Sequence, residues 1–348
     1  MMIFLYLARI IPKLIHIKMF IITQYPVAVV VCFLTMLCWG SWANTQKLAT
    51  QSVPTTIFYR DYTYGILLLS LLLAFTLGSL GSAGRSFLTD FKQAETKNLL
   101  FALAGGFVFN IANILIVVGI ELAGLSVAMP IGIGLALILG VVVNYISSPV
   151  GDVVLLSVGV FAIFLAVVFS ALAYRSKGAT DQSFNTRGIV VSLVGGFLMS
   201  FFFYFVVRAM ATDFANPTSG LLTPYTALVM FAIGVLISTP LFLPILRRFA
   251  SKPADDEIYY SDVSRRNHII GMLGGIVWCL GMASSLLASG EAGYAISYGL
   301  GQGATIVAVL WGVFIWHEFK GAPAISSRYL VLMGICYVLG LVLVIAAK

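Results

Sequence analysis

The sequence predicts an all-α membrane protein of about ten transmembrane helices in two inverted five-helix repeats. Of its 348 residues, 60% are hydrophobic and only 9% are charged, whereas a soluble protein of this length carries far more charge. Apolar stretches of about twenty residues, long enough to cross a hydrocarbon core of about 30 Å, recur along the chain. Because these stretches lack the strict alternation of a membrane β-barrel, we expect them to be helices.

The second half of the chain repeats the first. Six glycine and alanine positions keep one spacing of 169 residues (274 − 105): Gly105-Gly106, Ala123-Gly124, Gly132 and Gly134 recur as Gly274-Gly275, Ala292-Gly293, Gly301 and Gly303. An earlier block recurs at a spacing of 163 (217 − 54), with Pro54-Thr55 and Tyr62-Thr63 matching Pro217-Thr218 and Tyr225-Thr226. We interpret the difference as a short insertion between the blocks. Duplicated halves of a membrane protein usually meet at a substrate site.

Ten helices follow from the apolar stretches. They cover residues 26–46, 56–78, 98–120, 125–147, 151–173, 188–210, 218–245, 268–289, 294–316 and 327–347. This division gives an N-terminal extension (1–25), a first repeat (26–173), a connecting loop (174–187) and a second repeat (188–348). Five helices per half is an odd number, so the second half enters the bilayer from the opposite side.

The N-terminal extension places Arg9, Lys13 and Lys18 among isoleucine, leucine and phenylalanine, with no small-residue cleavage site before the first helix. This argues against a signal peptide. Two alternatives stay open: an amphipathic helix lying in the membrane interface, or an over-extended reading frame whose true start is Met19.

Positive charge is unevenly shared between the two sides of the predicted topology. The side that holds the connections after helices 1, 5, 7 and 9 has twelve Lys and Arg residues, and the other has five, or eight with the N-terminal extension. The positive-inside rule therefore directs both termini outward. We expect a multi-pass protein, with the lipid bilayer as its main partner and a homodimer left open.

The first helix carries Trp39, Trp42 and Gln46 on one face, at positions i, i+3 and i+7. Two indoles and an amide can stack on a sugar ring or a planar base and fix its orientation. The alternative is an aromatic belt at the membrane interface near Lys47.

The second helix opens with Tyr59-Arg60-Asp61-Tyr62. An aspartate inside a membrane protein can exchange a proton if burial raises its pKa, so Asp61 is the candidate for coupling. The alternative is a surface ion pair with Arg60. At the spacing of 163, Asp61 corresponds to Pro224.

The third helix has two asparagines, Asn110 and Asn113, one turn apart, and the eighth has Trp278 in the corresponding region. Polar side chains inside the membrane are costly and usually face a cavity or another helix. We expect these three residues to contact a solute, with bridging between helices as the alternative for the asparagines. Tyr225, near the start of the seventh helix, joins the same predicted site.

The fourth and ninth helices are predicted to be interrupted or thinned at corresponding positions. The fourth contains Pro130 and Gly132, and the ninth contains Gly301 between Tyr298 and Gln302. Such segments in both halves point to a transporter binding site, and Tyr298 and Gln302 would project polar groups from one face. Plain helix packing is the alternative.

Signatures of catalysis are missing from the sequence. It has no HExxH, no Walker lysine loop and no set of Ser, His and Asp in a plausible frame, and its four cysteines lack zinc-site spacing. We therefore predict a protein that is not an enzyme, has no cofactor or metal, and does not bind nucleic acid.

The chain resembles the drug/metabolite transporter superfamily, in the branch that contains the ureide permeases and the glucose/ribose and rhamnose porters. The segments that carry this resemblance are Gly105-Gly106, Ala123 to Val127, Gly140 to Tyr145, Glu291 to Ala295, Leu310 to Phe314, His317-Glu318-Phe319 and Asp61-Tyr62. It implies ten helices in two inverted repeats around a central cavity that opens to the two sides in turn. The short connection 174–187 differs from the long central loop of plant ureide permeases. Within the resemblance this argues against a ureide as the substrate and favours a bacterial relative of the sugar porters, located in the inner membrane.

Together these observations predict a secondary transporter of a small polar solute, a monosaccharide or a ureide or nucleobase-like compound, coupled to protons. An exporter of drugs or metabolites is the alternative within the resemblance. An intramembrane enzyme is the remote one, since it requires paired acids or a Ser and His at membrane depth.

Overall fold

A computed structural model describes residues 18–49, 53–123, 125–176, 185–250 and 258–348. Ten long helices account for most of them: α1 Tyr25–Ala49, α2 Thr55–Phe75, α3 Thr96–Ala123, α4 Leu125–Ser147, α5 Val153–Ser176, α6 Thr186–Arg208, α7 Pro224–Ala250, α8 Arg265–Ala292, α9 Tyr294–Ile315 and α10 Ala324–Ala346. A short helix, Phe87–Gln93, lies between α2 and α3, and a single 3-10 turn, Tyr260–Asp262, precedes α8.

Nine of the ten helices are long and apolar enough to cross a membrane, judged on the described residues, and α4 is a further apolar helix. The prediction of an all-α, multi-pass membrane protein is confirmed. Most of the N-terminal extension, for which an interfacial helix was one alternative, and most of the connecting loop fall on residues 1–17 and 177–184. These lie outside the described residues, as do 251–257.

Contacts between the helices have a simple regularity. α3 packs against α6 and α7, and α8 packs against α1 and α2. Likewise α4 contacts α6, α9 contacts α1, and three further pairs join α2 to α7, α4 to α9 and α5 to α10. If the helices of the two halves are exchanged, α1 with α6, α2 with α7 and so on to α5 with α10, this set of pairs is unchanged.

Glycines fix two of these crossings. A Cβ on Gly106 of α3 would collide with the carbonyl of Phe231 in α7, and a Cβ on Gly275 of α8 would collide with the carbonyl of Tyr62 in α2. The helices therefore touch by their backbones, as small residues allow in membranes. The two crossings correspond to each other, because Gly275 lies 169 residues after Gly106 and Phe231 lies 169 residues after Tyr62.

The spacing of 169 also relates the starts of α2 and α7, Thr55 and Pro224. The correspondence at 163 proposed for this region is therefore wrong, because it reflects chance matches of Pro-Thr and Tyr-Thr pairs. In the structural correspondence Asp61 is matched by Met230 rather than Pro224. The predicted start of the seventh helix at 218 is also too early, since 211–223 forms an irregular loop.

The bundle has two different ends. We call the end at which α1, α5 and α9 terminate the mouth side, and the opposite end the closed side. On the closed side, Arg85 donates to the carbonyls of Pro217 (2.6 Å) and Leu221 (2.7 Å) and pairs with Asp90 (2.9 Å). Asp90 also accepts from the backbone N–H of Thr223 at 2.7 Å. These bonds fasten the 209–223 loop across the end of the bundle.

Candidate functional site

A cavity of about 480 Å³ runs from the middle of the bundle to the mouth side. Its walls come from α1, α3, α4, α5, α6, α8 and α9, so both halves of the chain contribute. The volume falls within the roughly 300–1,000 Å³ that is typical of small-molecule sites.

Aromatic rings form the deep end of the cavity. The rings of Trp39 and Trp278 are stacked, with centroids 5.8 Å apart and planes 15° apart, and the Trp39 indole N–H donates to the Trp278 carbonyl at 3.2 Å. Phe109 also packs against Trp278, with the ring centroids 4.3 Å apart. Trp42 also lines the cavity and contacts Tyr62 at 4.9 Å. These contacts hold the indoles of Trp39 and Trp42 in fixed positions at the cavity wall.

Two amides complete this site. Asn113 on α3 lines the cavity, and its amide donates to the Tyr59 hydroxyl at 3.1 Å. Gln302 also lines the cavity, and its side chain makes no hydrogen bond within the described part of the chain. An amide supplies both a donor and an acceptor, which suits a hydroxyl, a urea group or a base edge.

Gln302 occupies a break in α9. The first helical segment ends at Gly301 and the next begins at Ala304. By contrast, α4 is helical from Leu125 to Ser147, so the predicted break at Pro130 and Gly132 is wrong. A proline removes only one backbone donor, and the rest of this helix continues. Gly132 instead permits close approach, because a Cβ on Gly196 of α6 would collide with its carbonyl.

Three residues predicted to contact solute do not line the cavity. Asn110 is fully buried, accepts from the Tyr59 hydroxyl at 2.8 Å and donates to the Ser238 hydroxyl at 2.8 Å. It therefore bridges α2, α3 and α7, which was the alternative considered for it. Tyr298 donates to the Ala136 carbonyl at 3.1 Å and fills the crossing of α9 with α4. Tyr225 donates to the Phe20 carbonyl at 3.1 Å, on the closed side.

Asp61 also lies away from the cavity wall, in a separate buried cluster on the mouth side. Its carboxylate accepts from the Tyr260 hydroxyl at 2.5 Å and lies 2.7 Å from Nδ1 of His268. Nε2 of His268 lies 3.2 Å from the Tyr260 carbonyl. Because both ring nitrogens face acceptors, a doubly protonated imidazolium satisfies both contacts. The cluster ties α2 to α8 and to the turn before it.

Arg60 does not form the surface ion pair with Asp61 that the sequence allowed. Its Nε donates to the Tyr64 hydroxyl at 3.0 Å, and its guanidinium lies 4.4 Å from the centroid of the Tyr260 ring. Burial, together with the hydrogen bond to the Asp61 carboxylate, raises the pKa of Tyr260 to about 12. The phenol therefore keeps its proton and remains a donor.

Sequence reasoning missed the charged rim of the cavity. Lys47, at the end of α1, forms an ion pair with Glu318, which follows α9, and both line the cavity. The Tyr174 hydroxyl of α5 donates to the other carboxylate oxygen of Glu318 at 3.0 Å. The sequence did contain a signal for this pair. Helices 1 and 9 carry opposite charges at their ends, and the predicted topology places both ends on the same side of the membrane.

A second hollow, of about 740 Å³, lies on the closed side between the ends of α4 and α6. It is larger but opens along the bundle surface, where Ile146 is 74% exposed. It lacks the facing indoles and amides of the first cavity. We therefore assign the candidate site to the cavity on the mouth side.

Comparison with known proteins points in the same direction. The sequence pattern of the ureide permease family matches residues 58–187. Ureide permease 1 of Arabidopsis thaliana is 27% identical over 168 residues, which is 47% of this chain and 43% of that protein. The chain thus spans less than half the length of these plant relatives.

Two further similarities cover more of the chain. A protein of Listeria innocua, proposed to be a sugar uptake protein, is 25% identical over 250 residues, which is 69% of this chain and 78% of the relative. A protein of known crystal structure superposes on 92% of this chain and 98% of its own, with a TM-score of 0.65 and 12% identity. That superposition shows a shared fold.

Proposed function

We propose that this protein is a permease that carries a small polar solute across the membrane through the cavity between its two halves. The observation that carries the proposal is the pairing of stacked indoles with inward-facing amides inside a bundle built from membrane-spanning helices. The names of the similar proteins, a ureide permease and a proposed sugar uptake protein, favour the same class of activity.

The solute is a monosaccharide or a ureide or nucleobase-like compound. Each of these presents a flat or ring-shaped face that stacks on an indole, together with hydroxyl, amide or urea groups that an amide can bond. Trp39 and Trp42 would supply the faces, Trp278 would hold the Trp39 ring in place, and Asn113 and Gln302 would supply the hydrogen bonds.

Movement would follow from the two related halves. The helix contacts that survive exchange of the halves support a pair of inverted five-helix repeats, residues 26–173 and 188–348, as in the drug/metabolite transporter superfamily. In such proteins one set of helices rocks against the other around the binding site. The cavity opens on the mouth side. The positive-inside rule assigns this side to the cytoplasmic face of a bacterial inner membrane.

Proton coupling would use Asp61 with His268. Asp61 is buried and His268 is partly buried, and the pair joins α2 of one half to α8 of the other. Gain or loss of a proton there changes the strength of a contact between the halves, which is the property that coupling requires. Tyr260 and Arg60 are the neighbouring groups that set the local charge.

Uptake into proteoliposomes tests the function. Purified protein would be given labelled monosaccharides, ureides and nucleobases, with and without an imposed proton gradient. We expect uptake of at least one class, and we expect Asn113→Ala to reduce it while Val154→Ala, a change on the lipid-facing surface, does not. Failure of every compound to enter, with the protein shown to be folded, would reject the permease assignment.

A further inference from the structure

Two asparagines of α3 share one tyrosine hydroxyl of α2. The Tyr59 hydroxyl donates to Oδ1 of Asn110 at 2.8 Å, and Nδ2 of Asn113 donates to the Tyr59 oxygen at 3.1 Å. Tyr59 and Asn110 are buried, whereas Asn113 lines the cavity. The three side chains therefore form a chain of hydrogen bonds that runs from the interior of the bundle to the solute site.

The buried end of this chain fixes the direction of its bonds. Nδ2 of Asn110 faces three oxygens of α7. They belong to the Val235 carbonyl (3.2 Å), the Ser238 hydroxyl (2.8 Å) and the Thr239 hydroxyl (3.1 Å). Both hydroxyls give their own hydrogens to backbone carbonyls of α7 at 2.7 Å, so all three oxygens can only accept from Asn110. The nitrogen of its amide must therefore face α7, and Oδ1 must face Tyr59.

Tyr59 passes this direction on to Asn113. A phenol has one hydrogen and Asn110 accepts it, so the Tyr59 oxygen can only accept from Asn113. If the amide of Asn113 were turned over, its Oδ1 would face the Tyr59 oxygen with no hydrogen between them. Such a contact leaves both oxygens unsatisfied in a place with little water, which is costly. The network therefore holds Nδ2 of Asn113 against Tyr59.

The oxygen of the Asn113 amide faces the cavity. It has no hydrogen-bond partner among the described residues. In the same part of the chain, the enclosed polar side-chain atoms that lack a partner are the hydroxyls of Tyr62, Tyr294 and Tyr337 and Oδ1 of Asn144. Oδ1 of Asn113 is not one of them, so it is open to the space that this residue lines.

We infer that Tyr59 is a positioning residue that makes Asn113 a fixed acceptor, so that the cavity selects a solute that donates an O–H or N–H at this point. The inference rests on the proposed function and names one group that the solute must carry. A solute with an ether oxygen or a C–F group there would meet Oδ1 with no hydrogen between them. The amide of Gln302 has no partner among the described residues and can turn to suit either kind of group. The fixed selectivity therefore comes from Asn113.

A cycle of protein variants and solute derivatives tests the fixed acceptor. D-Glucose, hydantoin and uracil serve as probes, one for each proposed class of solute. Their derivatives lack one donor at a time: the deoxyfluoro-glucoses, and the N-methylated hydantoins and uracils. The thermal midpoint of the purified protein, followed against probe concentration, gives the affinity. For a probe that binds, we expect at least one derivative to bind about tenfold more weakly than its parent, the effect of one neutral hydrogen bond.

This preference for the parent should disappear in Asn113→Ala, which removes the acceptor. Because alanine also makes room for a methyl group, a second variant keeps Asn113 and turns its amide. 4-Aminophenylalanine in place of Tyr59 has two hydrogens on its amino nitrogen, so it can donate to both asparagines. Asn113 would then turn Oδ1 toward residue 59 and Nδ2 toward the cavity, and the preference should again disappear. The control is 4-aminophenylalanine in place of Tyr225, on the closed side, which should leave the preference unchanged.

A merely structural role for Tyr59 would lower the affinities for parent and derivative alike and keep their ratio. A ratio that persists with 4-aminophenylalanine at position 59 would therefore overturn the inference, even if Asn113→Ala abolishes it. Equal affinities of parent and derivatives in the wild type, or no binding of any of the three probes, would overturn it too. Uptake judges the proposed function separately: a solute that is transported without any preference for a donor refutes the fixed acceptor and leaves the permease assignment intact.

Discussion

The two ends of the bundle are fastened by different chemistry. On the closed side, a guanidinium binds backbone carbonyls and a fully buried carboxylate. On the mouth side, the joining groups are a carboxylate with an imidazole, and a lysine with a glutamate that is partly open to water. From this difference we predict that the closed side is held firmly in this conformation, while the mouth side, whose pairs are partly exposed, is held less firmly.

The contrast extends to the cations at corresponding positions. Thr45 of α1 lies against Gly274 as Val206 of α6 lies against Gly105, which makes Lys47 and Arg208 counterparts. Lys47 is paired with Glu318. Arg208 is exposed and has no carboxylate partner among the described residues. The halves therefore share a framework of contacts but differ in the charges placed on it.

The largest loss of stability is expected when the Arg85 guanidinium is removed from the closed side. Arg85→Met leaves Asp90 buried without its cation, and we expect unfolding free energy to fall by about 3 kcal/mol. The loop from 209 to 223 should also loosen, so that a cysteine placed at Leu221 reacts faster with a water-soluble maleimide. Arg208→Met, the same change at an exposed position on the same side, should alter neither quantity. Equal labelling rates in the two variants would refute the firm closure of this end.

Removal of the Asp61 charge on the mouth side should lower stability less than Arg85→Met does, but it should change the dependence of uptake on protons. Asp61→Asn removes the charge that His268 faces, and we expect a loss of about 2 kcal/mol together with a flatter dependence of uptake on the proton gradient. Measurement of initial uptake rates with and without the gradient checks this expectation. The control is Glu121→Gln, an exposed carboxyl at the mouth-side end of α3. Gradient dependence that persists in Asp61→Asn would exclude Asp61 as the coupling residue.

Changes inside the cavity should leave both ends intact. Trp39→Ala removes one of the two stacked indoles, and a loss of about 1.4 kcal/mol in solute binding corresponds to about tenfold weaker affinity. Trp39→Phe keeps an aromatic face and loses only the bond to the Trp278 carbonyl, so its loss should be smaller. Titration of tryptophan fluorescence, or thermal shift with the transported solute, measures both. The same affinity in the alanine and phenylalanine variants would argue against stacking as the source of recognition.

The smallest effect is expected at Tyr260. Tyr260→Phe removes one hydrogen bond to Asp61, which costs about 1 kcal/mol. Since the pKa of the phenol is raised from 10.0 to about 12, its contribution is complete below pH 10 and disappears only as pH rises through 12. The difference in stability between wild type and variant should therefore be constant from neutral pH to pH 10. A difference that shrinks within that range would show that the phenol loses its proton earlier.

The fold could be predicted because helices in a bilayer need about twenty apolar residues, and this requirement is written in composition. Five of the eight residues predicted to bind solute also line the cavity: Trp39, Trp42, Asn113, Trp278 and Gln302. Polar side chains at membrane depth must face a polar partner, which makes them good candidates for solute binding. The spacing of residues along a helix does not say whether that partner is a solute or another helix.

The remaining site residues show the limit of that reasoning. Asn110 meets hydroxyls of α7, and Tyr298 meets a carbonyl of α4, so both satisfy their polar groups within the bundle. Lys47 and Glu318 are separated by 271 positions, and only the packing of α1 against α9 brings them together. Such contacts depend on the angle at which helices cross, which an amphipathic pattern leaves undetermined.

The paired glycine crossings have a mechanical consequence. At Gly106 and Gly275 two helices meet backbone to backbone, without side chains that interlock. Interlocked side chains resist a change of angle because their rotamers must be repacked, whereas two smooth backbones can pivot about the point of contact. Each half thus supplies one such pivot to the other, at equivalent depth. Alanine in place of either glycine should therefore restrict rotation at that crossing and leave the corresponding crossing in the other half free to rotate.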